Sequence, residues 1–145
     1  MATRSNIAYL MPNGHIQVIY CHEDGYPKGV GKMLNTHYKH CDRVRELMAL
    51  GDLHCLQRYL YPGGPHSYDQ RQPNVTVAFG RDRGDEATEA VEYNSILEWK
   101  AHLSPDIEYC YLFQPSIIGG TGKWQQINHP VLWHNKHHEA VLRAS

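Results

Sequence analysis

A chain of 145 residues with 41% hydrophobic content suits a single domain over 1–145 that buries a modest core without disulfides. The formal net charge of -1 supplies no long-range attraction for nucleic acid or an anionic membrane, so neither is expected as a partner, while a local basic patch stays open. No apolar run approaches the roughly 18 residues of a spanning helix, and Met1-Ala2-Thr3-Arg4-Ser5 lacks the apolar segment of a secretion signal, so the expected location is the cytoplasm.

Ile7 to Met11 and Ile16 to Cys21 flank Pro12-Asn13-Gly14, and Asn-Gly provides the positive φ angles of a tight hairpin. The two-residue strand period sends Ile16, Val18 and Tyr20 to one side and Gln17, Ile19 and Cys21 to the other. The second strand runs into Tyr20-Cys21-His22-Glu23-Asp24-Gly25-Tyr26-Pro27-Lys28-Gly29-Val30-Gly31-Lys32, a polar and aromatic turn that opens a helix. Val30, Met33, Leu34, His37 and Tyr38 recur at helical spacing, which predicts a helix from about Gly29 to His40.

Asp42 is placed to cap a second helix carrying Val44, Leu47 and Met48, with Gly51 as its stop. Asp52 is expected to cap a third, shorter helical segment with Leu53, Leu56 and Leu60, ended by Tyr61-Pro62-Gly63-Gly64-Pro65. A loop over His66 to Pro73 precedes a strand over Val75 to Phe79, and Gly80 to Glu86 is expected as a charged loop. Ser95 and Glu98 stand in capping-box relation ahead of a buried stripe of Ile96, Trp99 and Leu103. Ile107 to Phe113 alternates as a strand and turns at Ile118-Gly119-Gly120-Thr121-Gly122 into a last strand, Lys123 to Ile127. The tail carries Trp133, His134, His137 and His138, expected as a short helix.

About five strands and three or four helices, with hairpins at both ends, predict an α+β domain. Its sheet is mainly antiparallel and its helices pack on one face. The four cysteines, Cys21, Cys41, Cys55 and Cys110, contain no CxxC pair and are read as buried thiols.

Several segments resemble a family of small, largely uncharacterised proteins of bacteriophages and bacteria. They are Met1-Ala2-Thr3-Arg4-Ser5-Asn6-Ile7, the turn Tyr20-Cys21-His22-x-Asp24-Gly25-Tyr26-Pro27, His37-Tyr38 followed by Val44-x-x-Leu47-x-x-x-Gly51-Asp52-Leu53, and Arg81-Asp82-Arg83-Gly84-Asp85. The resemblance spans roughly two thirds of the chain. It departs from the family at Glu23, where tryptophan is usual, and at Gly80, where a histidine or another polar residue is usual. If those positions contact a ligand, the resemblance implies either a different ligand or the loss of a step that other members perform. It also implies a phage-type protein acting in the host cytoplasm.

Four chemistries fit the residues. Gly29-Val30-Gly31 opens a helix whose amides and dipole attract phosphate, and Lys28 and Lys32 add charge, although five residues between Gly25 and Gly31 and Met33 after Lys32 depart from a P-loop. The competing reading is a tight strand-to-helix turn. Arg81 and Arg83 suit bidentate anion binding, and Tyr20, Tyr26 and Tyr38 suit stacking on a base or ribose. His37, His40 and Cys41, approached by His22 or Asp24, offer a zinc-like donor set without a signature motif, and no cofactor is expected. His22 with Asp24 or with Asp82 offers a base and its orienting carboxylate.

The favoured expectation is a binding protein that sequesters a small phosphate-bearing, nucleotide-derived molecule from a host immune effector, without turnover. The ligand-binding candidates are Tyr20, His22, Asp24, Tyr26, Lys28, Gly29, Gly31, Lys32, Tyr38, Arg81 and Arg83, with the Arg81 to Asp85 loop as a third wall. The alternatives are a phosphodiesterase-like hydrolase using His22, Asp24 and Arg81-Asp82-Arg83, and an inhibitor that binds a host protein. A homo-oligomer suits each.

Overall fold

The computed structural model describes residues 2–127; the expected tail helix with Trp133, His134, His137 and His138 lies outside them. The first hairpin joins β1 (Ser5–Leu10) to β2 (Ile16–Cys21), pairing Leu10 with Ile16 and Ser5 with Cys21. Its five-residue connection is closed by Met11 N–H to His15 O at 2.8 Å and Gly14 N–H to Met11 O at 2.9 Å. Chain reversal at Asn13-Gly14 is met by Gly14 at φ 87°.

A π-helical turn over Pro27–Gly31 leads directly into α1 (Lys32–His37), and α2 follows over Cys41–Leu50. The helix expected to reach His40 therefore starts earlier and stops at His37. The segment after Gly51 is not helical: β3 (Leu53–Cys55) pairs in parallel with β2 at Cys21 and antiparallel with β4 (Val77–Ala78). Leu53, Leu56 and Leu60 are buried as the spacing required, but by extended chain held to distant partners. Tyr59 N–H bonds Asn74 O at 3.0 Å and Thr76 N–H bonds Tyr59 O at 2.8 Å.

The expected strand to Phe79 and the charged loop after it are also revised. Phe79–Arg83 forms a helical turn, α3. β5 (Val91–Tyr93) pairs with the first half of β2, and α4 (Ile96–Ala101) is capped as predicted, Glu98 N–H donating to Ser95 Oγ at 3.1 Å. β6 (Tyr109–Pro115) and β7 (Gly122–Ile127) make the second hairpin.

Among the described residues the fold is α+β, with seven strands where about five were expected. The spatial order is β4-β3-β2-β1-β6-β7, with β5 beside β2. The sheet is mostly antiparallel, with parallel pairings of β1 with β6 and β2 with β3. Its helices cover both faces, not one. Ile7, Ile19 and Phe113 pack with Leu34 of α1 and Val44 and Leu47 of α2, whereas Ala8, Val18 and Leu112 pack with Ile96 and Trp99 of α4. Each of the Val, Leu, Ile and Phe side chains among them contributes about 1.5–3 kcal/mol by burial. No helix among the described residues is long and apolar enough to cross a membrane.

Candidate functional site

The turn leaving β2 sits at the end of the sheet, held between its neighbours. His22 N–H and Glu23 N–H donate to Leu53 O and His54 O, each at 3.0 Å, and Gly25 N–H donates to Thr3 O at 2.9 Å. Asp24 reverses the chain at φ 55°, a left-handed conformation that Asp tolerates better than most residues. Its carbonyl accepts Val30 N–H at 2.8 Å, while Tyr26 O accepts Gly29 N–H at 2.9 Å. The amides at the helix entry are therefore spent on the turn itself. A Cβ on Gly29 would collide with the Asp24 carbonyl oxygen, and one on Gly31 would press on the Tyr111 ring at 3.2 Å. These glycines serve close packing, which replaces the expected backbone phosphate cradle.

Beside this turn lies a cavity of about 370 Å³, within the size range of small-molecule sites. Val30, Met33 and Leu56 give it apolar surface, and Lys28, Lys32, Thr36, His37 and Gln57 give it polar groups. Glu23 and Asp24 also line it, but both have partners: Glu23 pairs with His54 Nε2, and Asp24 Oδ1 accepts the Tyr26 hydroxyl at 3.3 Å. Lys28 and Lys32 form no ion pair among the described residues, so two ammonium groups border the cavity uncommitted. Any anion attraction here comes from side chains.

Behind Glu23 the rings of His22, His54, Tyr68 and Phe79 pack together. His22 stacks on His54 at 5.5 Å between centroids, and Tyr68 and Phe79 meet His54 edge-on at 5.0 and 5.6 Å. Burial pushes the His54 pKa down; Arg71 and His22 add to that shift, and Glu23 opposes it. The neutral imidazole is favoured, and its Nδ1 is buried without a hydrogen-bond partner.

The hydrolytic pairs do not form. His22 Nδ1 shares a 2.7 Å hydrogen bond with the Tyr20 hydroxyl, and among the described residues no ion pair or hydrogen bond joins His22 to Asp24 or Asp82. Asp82 is instead a structural anchor. It accepts Ala78 N–H at 2.8 Å and two Arg81 N–H groups at 2.8 and 3.0 Å, and faces His66 Nε2 at 3.4 Å. Burial alone would raise its pKa, but Arg81, the Ala78 amide and His66 outweigh that and hold the carboxyl below its usual value.

The expected third wall does not form: no residue from Arg81 to Asp85 lines the cavity. The contact with the turn comes from Phe79, ahead of that loop, whose ring lies 6.4 Å from that of His22 between centroids. Arg81, however, donates to Leu60 O at 2.5 Å and Thr76 O at 2.9 Å. Arg83 pairs with Asp85 and lies over the Tyr68 and Phe79 rings at 4.7 and 4.5 Å. Neither lines the cavity.

Of the tyrosines, Tyr38 is wholly buried with its hydroxyl on Gln57 O at 2.5 Å, and Tyr20 belongs to the opposite sheet face with Val18 and Trp99. Tyr26 is exposed beside the turn. His37 lines the cavity, whereas His40 pairs with Thr121 across a β-bridge and Cys41 is buried with Sγ on Thr121 O at 3.6 Å. Among the described residues no cluster of three or more His, Cys, Asp or Glu is arranged to hold a metal. All four cysteines are free and buried, and burial pushes Cys21 and Cys110 up to about 12.

The two departures from the resembled family differ in place. Glu23 faces the cavity, while a Cβ on Gly80 would lie 2.6 Å from Thr88 Oγ1, away from it. Gln57, Thr36 and the His54 partner of Glu23 were not singled out by sequence, and Leu56 was read only as a core position. His54, Leu56 and Gln57 reach the turn through the long-range pairing of β3 with β2, which no local spacing signals, whereas Thr36 stands one helical turn after Lys32 on α1. No protein-family model, curated protein or solved structure matches the chain.

Proposed function

We propose that the protein captures a small phosphate-bearing, nucleotide-derived molecule in the cavity beside the Pro27 turn and holds it without turnover. The observation that carries this reading is the pair of ammonium groups, Lys28 and Lys32, without an ion pair among the described residues on one cavity, where Glu23 and Asp24 are hydrogen-bonded to His54 and the Tyr26 hydroxyl. Charge-assisted contacts to phosphate are worth about twice a neutral hydrogen bond, and Val30, Met33 and Leu56 offer apolar contact to the rest of the ligand. His37, Thr36 and Gln57 add donors.

Capture is favoured over hydrolysis because His22 has no orienting carboxylate and Arg81 is engaged by main-chain carbonyls. The phage-type role, removal of a host immune signal, follows from the resemblance of the turn and Arg81-Asp82-Arg83 segments and belongs to the same proposal.

The test is incubation with cyclic oligonucleotides and ADP-ribose-type compounds, followed by heat release and chromatography. Intact ligand recovered in stoichiometric amount supports capture. A chemically altered product supports the hydrolase, and absence of binding across the panel ends the capture reading.

A further inference from the structure

A second cavity lies on the opposite sheet face, between β2, β5 and α4, with a volume of about 230 Å³. Its wall is aromatic: Tyr20, Tyr93, Trp99 and His102 line it, and the Tyr93 and His102 rings lie 5.6 Å apart at 30°. Trp99 is fixed by its indole N–H, which donates to Asn6 Oδ1 at 3.0 Å. The charged group lining this cavity is Asp52. Its Oδ1 accepts the Tyr20 amide at 2.9 Å, and its Oδ2 has no hydrogen bond among the described residues. Burial raises the Asp52 pKa, the Tyr20 amide opposes this, and Glu89 adds further negative charge. Arg4 approaches the Tyr20 side chain but does not line the cavity.

A half-buried carboxylate with one oxygen free of hydrogen bonds among the described residues, beside aromatic side chains, is the arrangement that attracts a cation. The carboxylate supplies a charge-assisted acceptor and the rings supply cation–π attraction and apolar contact. The volume falls below the ~300 Å³ at which drug-sized pockets begin, so the guest is small. We propose that this cavity binds a small organic cation, an ammonium or guanidinium group on a short apolar stem, with its head on Asp52 Oδ2 and its stem against Tyr20, Tyr93 and Trp99. This site is separate from the lysine-lined cavity and carries the opposite charge preference.

The test is an NMR titration of the full chain with butylammonium chloride and, in parallel, with 1-butanol, reading the Trp99 indole N–H. Butylammonium is expected to give a saturable shift, with the neutral alcohol at least about tenfold weaker. Asp52→Asn keeps the Oδ1 acceptor for the Tyr20 amide and is expected to lower butylammonium affinity by a similar factor. Equal responses to amine and alcohol, no saturation with either, or unchanged affinity in folded Asp52→Asn would overturn the proposal. Should that variant not fold, the amine-to-alcohol contrast on the native chain decides it.

Discussion

Val30 N–H donates to the Asp24 carbonyl at 2.8 Å, closing the helix entry onto the turn before it. This bond shows how the glycine-rich stretch is packed. Its glycines let two backbones approach, and the anion-attracting charge passes to the lysine side chains on the cavity rim.

Gly29→Ala tests the first half of that statement. The added Cβ meets the Asp24 carbonyl oxygen, a backbone atom that cannot swing aside. We expect a loss of about 3 kcal/mol in urea denaturation, from overpacking and from the weakened Val30 bond. A variant as stable as the parent would mean that the turn relaxes freely.

Tyr38→Phe separates core from site. The hydroxyl lost is buried on Gln57 O, so stability should fall by about 1–2 kcal/mol while affinity for a nucleotide ligand stays unchanged. A selective loss of affinity with intact stability would return Tyr38 to the binding surface.

Asp82→Asn addresses the residue that sequence spacing offered as a catalytic partner. Losing the charge-assisted bonds from Arg81 should lower stability by about 2–3 kcal/mol at neutral pH. The folded-state pKa of Asp82 lies below its ordinary 3.8, so its contribution is complete above that value. It is lost as pH falls through the folded pKa. The gap between parent and variant in chemical denaturation should therefore narrow on acidification below pH ~4. A gap that is constant with pH would show that the ionised carboxylate is not the stabilising form.

Local signals were legible, and they share a physical basis. Asn13-Gly14 placed the first hairpin, Ser95 and Glu98 placed the α4 cap, and the Val44, Leu47, Met48 stripe placed α2, each from interactions within one or two turns of chain. Leu53, Leu56 and Leu60 misled because their spacing fits a helix, while the pairings of Leu53 with Cys21 and Ala78 come from residues far off in sequence. Asp52 misled for the same reason: a helix cap was expected, and its carboxylate instead holds the Tyr20 amide. At the cavity, Lys28 and Lys32 were picked out because they adjoin the turn, while His37 was read as a metal-ligand candidate and lines the cavity instead. Arg81 and Arg83 were overvalued because sequence cannot show that nearby carbonyls, Asp85 and aromatic rings already hold their guanidinium groups.

Lys28 and Lys32 are the side chains proposed to hold the phosphate-bearing nucleotide ligand. The most direct measurement is calorimetric titration of cyclic dinucleotides and ADP-ribose into the parent chain and the Lys28→Ala/Lys32→Ala variant, with folding checked by circular dichroism. Saturable binding to the parent is expected for at least one of these compounds, weakened by added salt. In the variant the expected loss is about 100-fold, roughly tenfold for each charge-assisted contact removed. Equal affinity in parent and variant, or no heat with any compound in the parent, would contradict it.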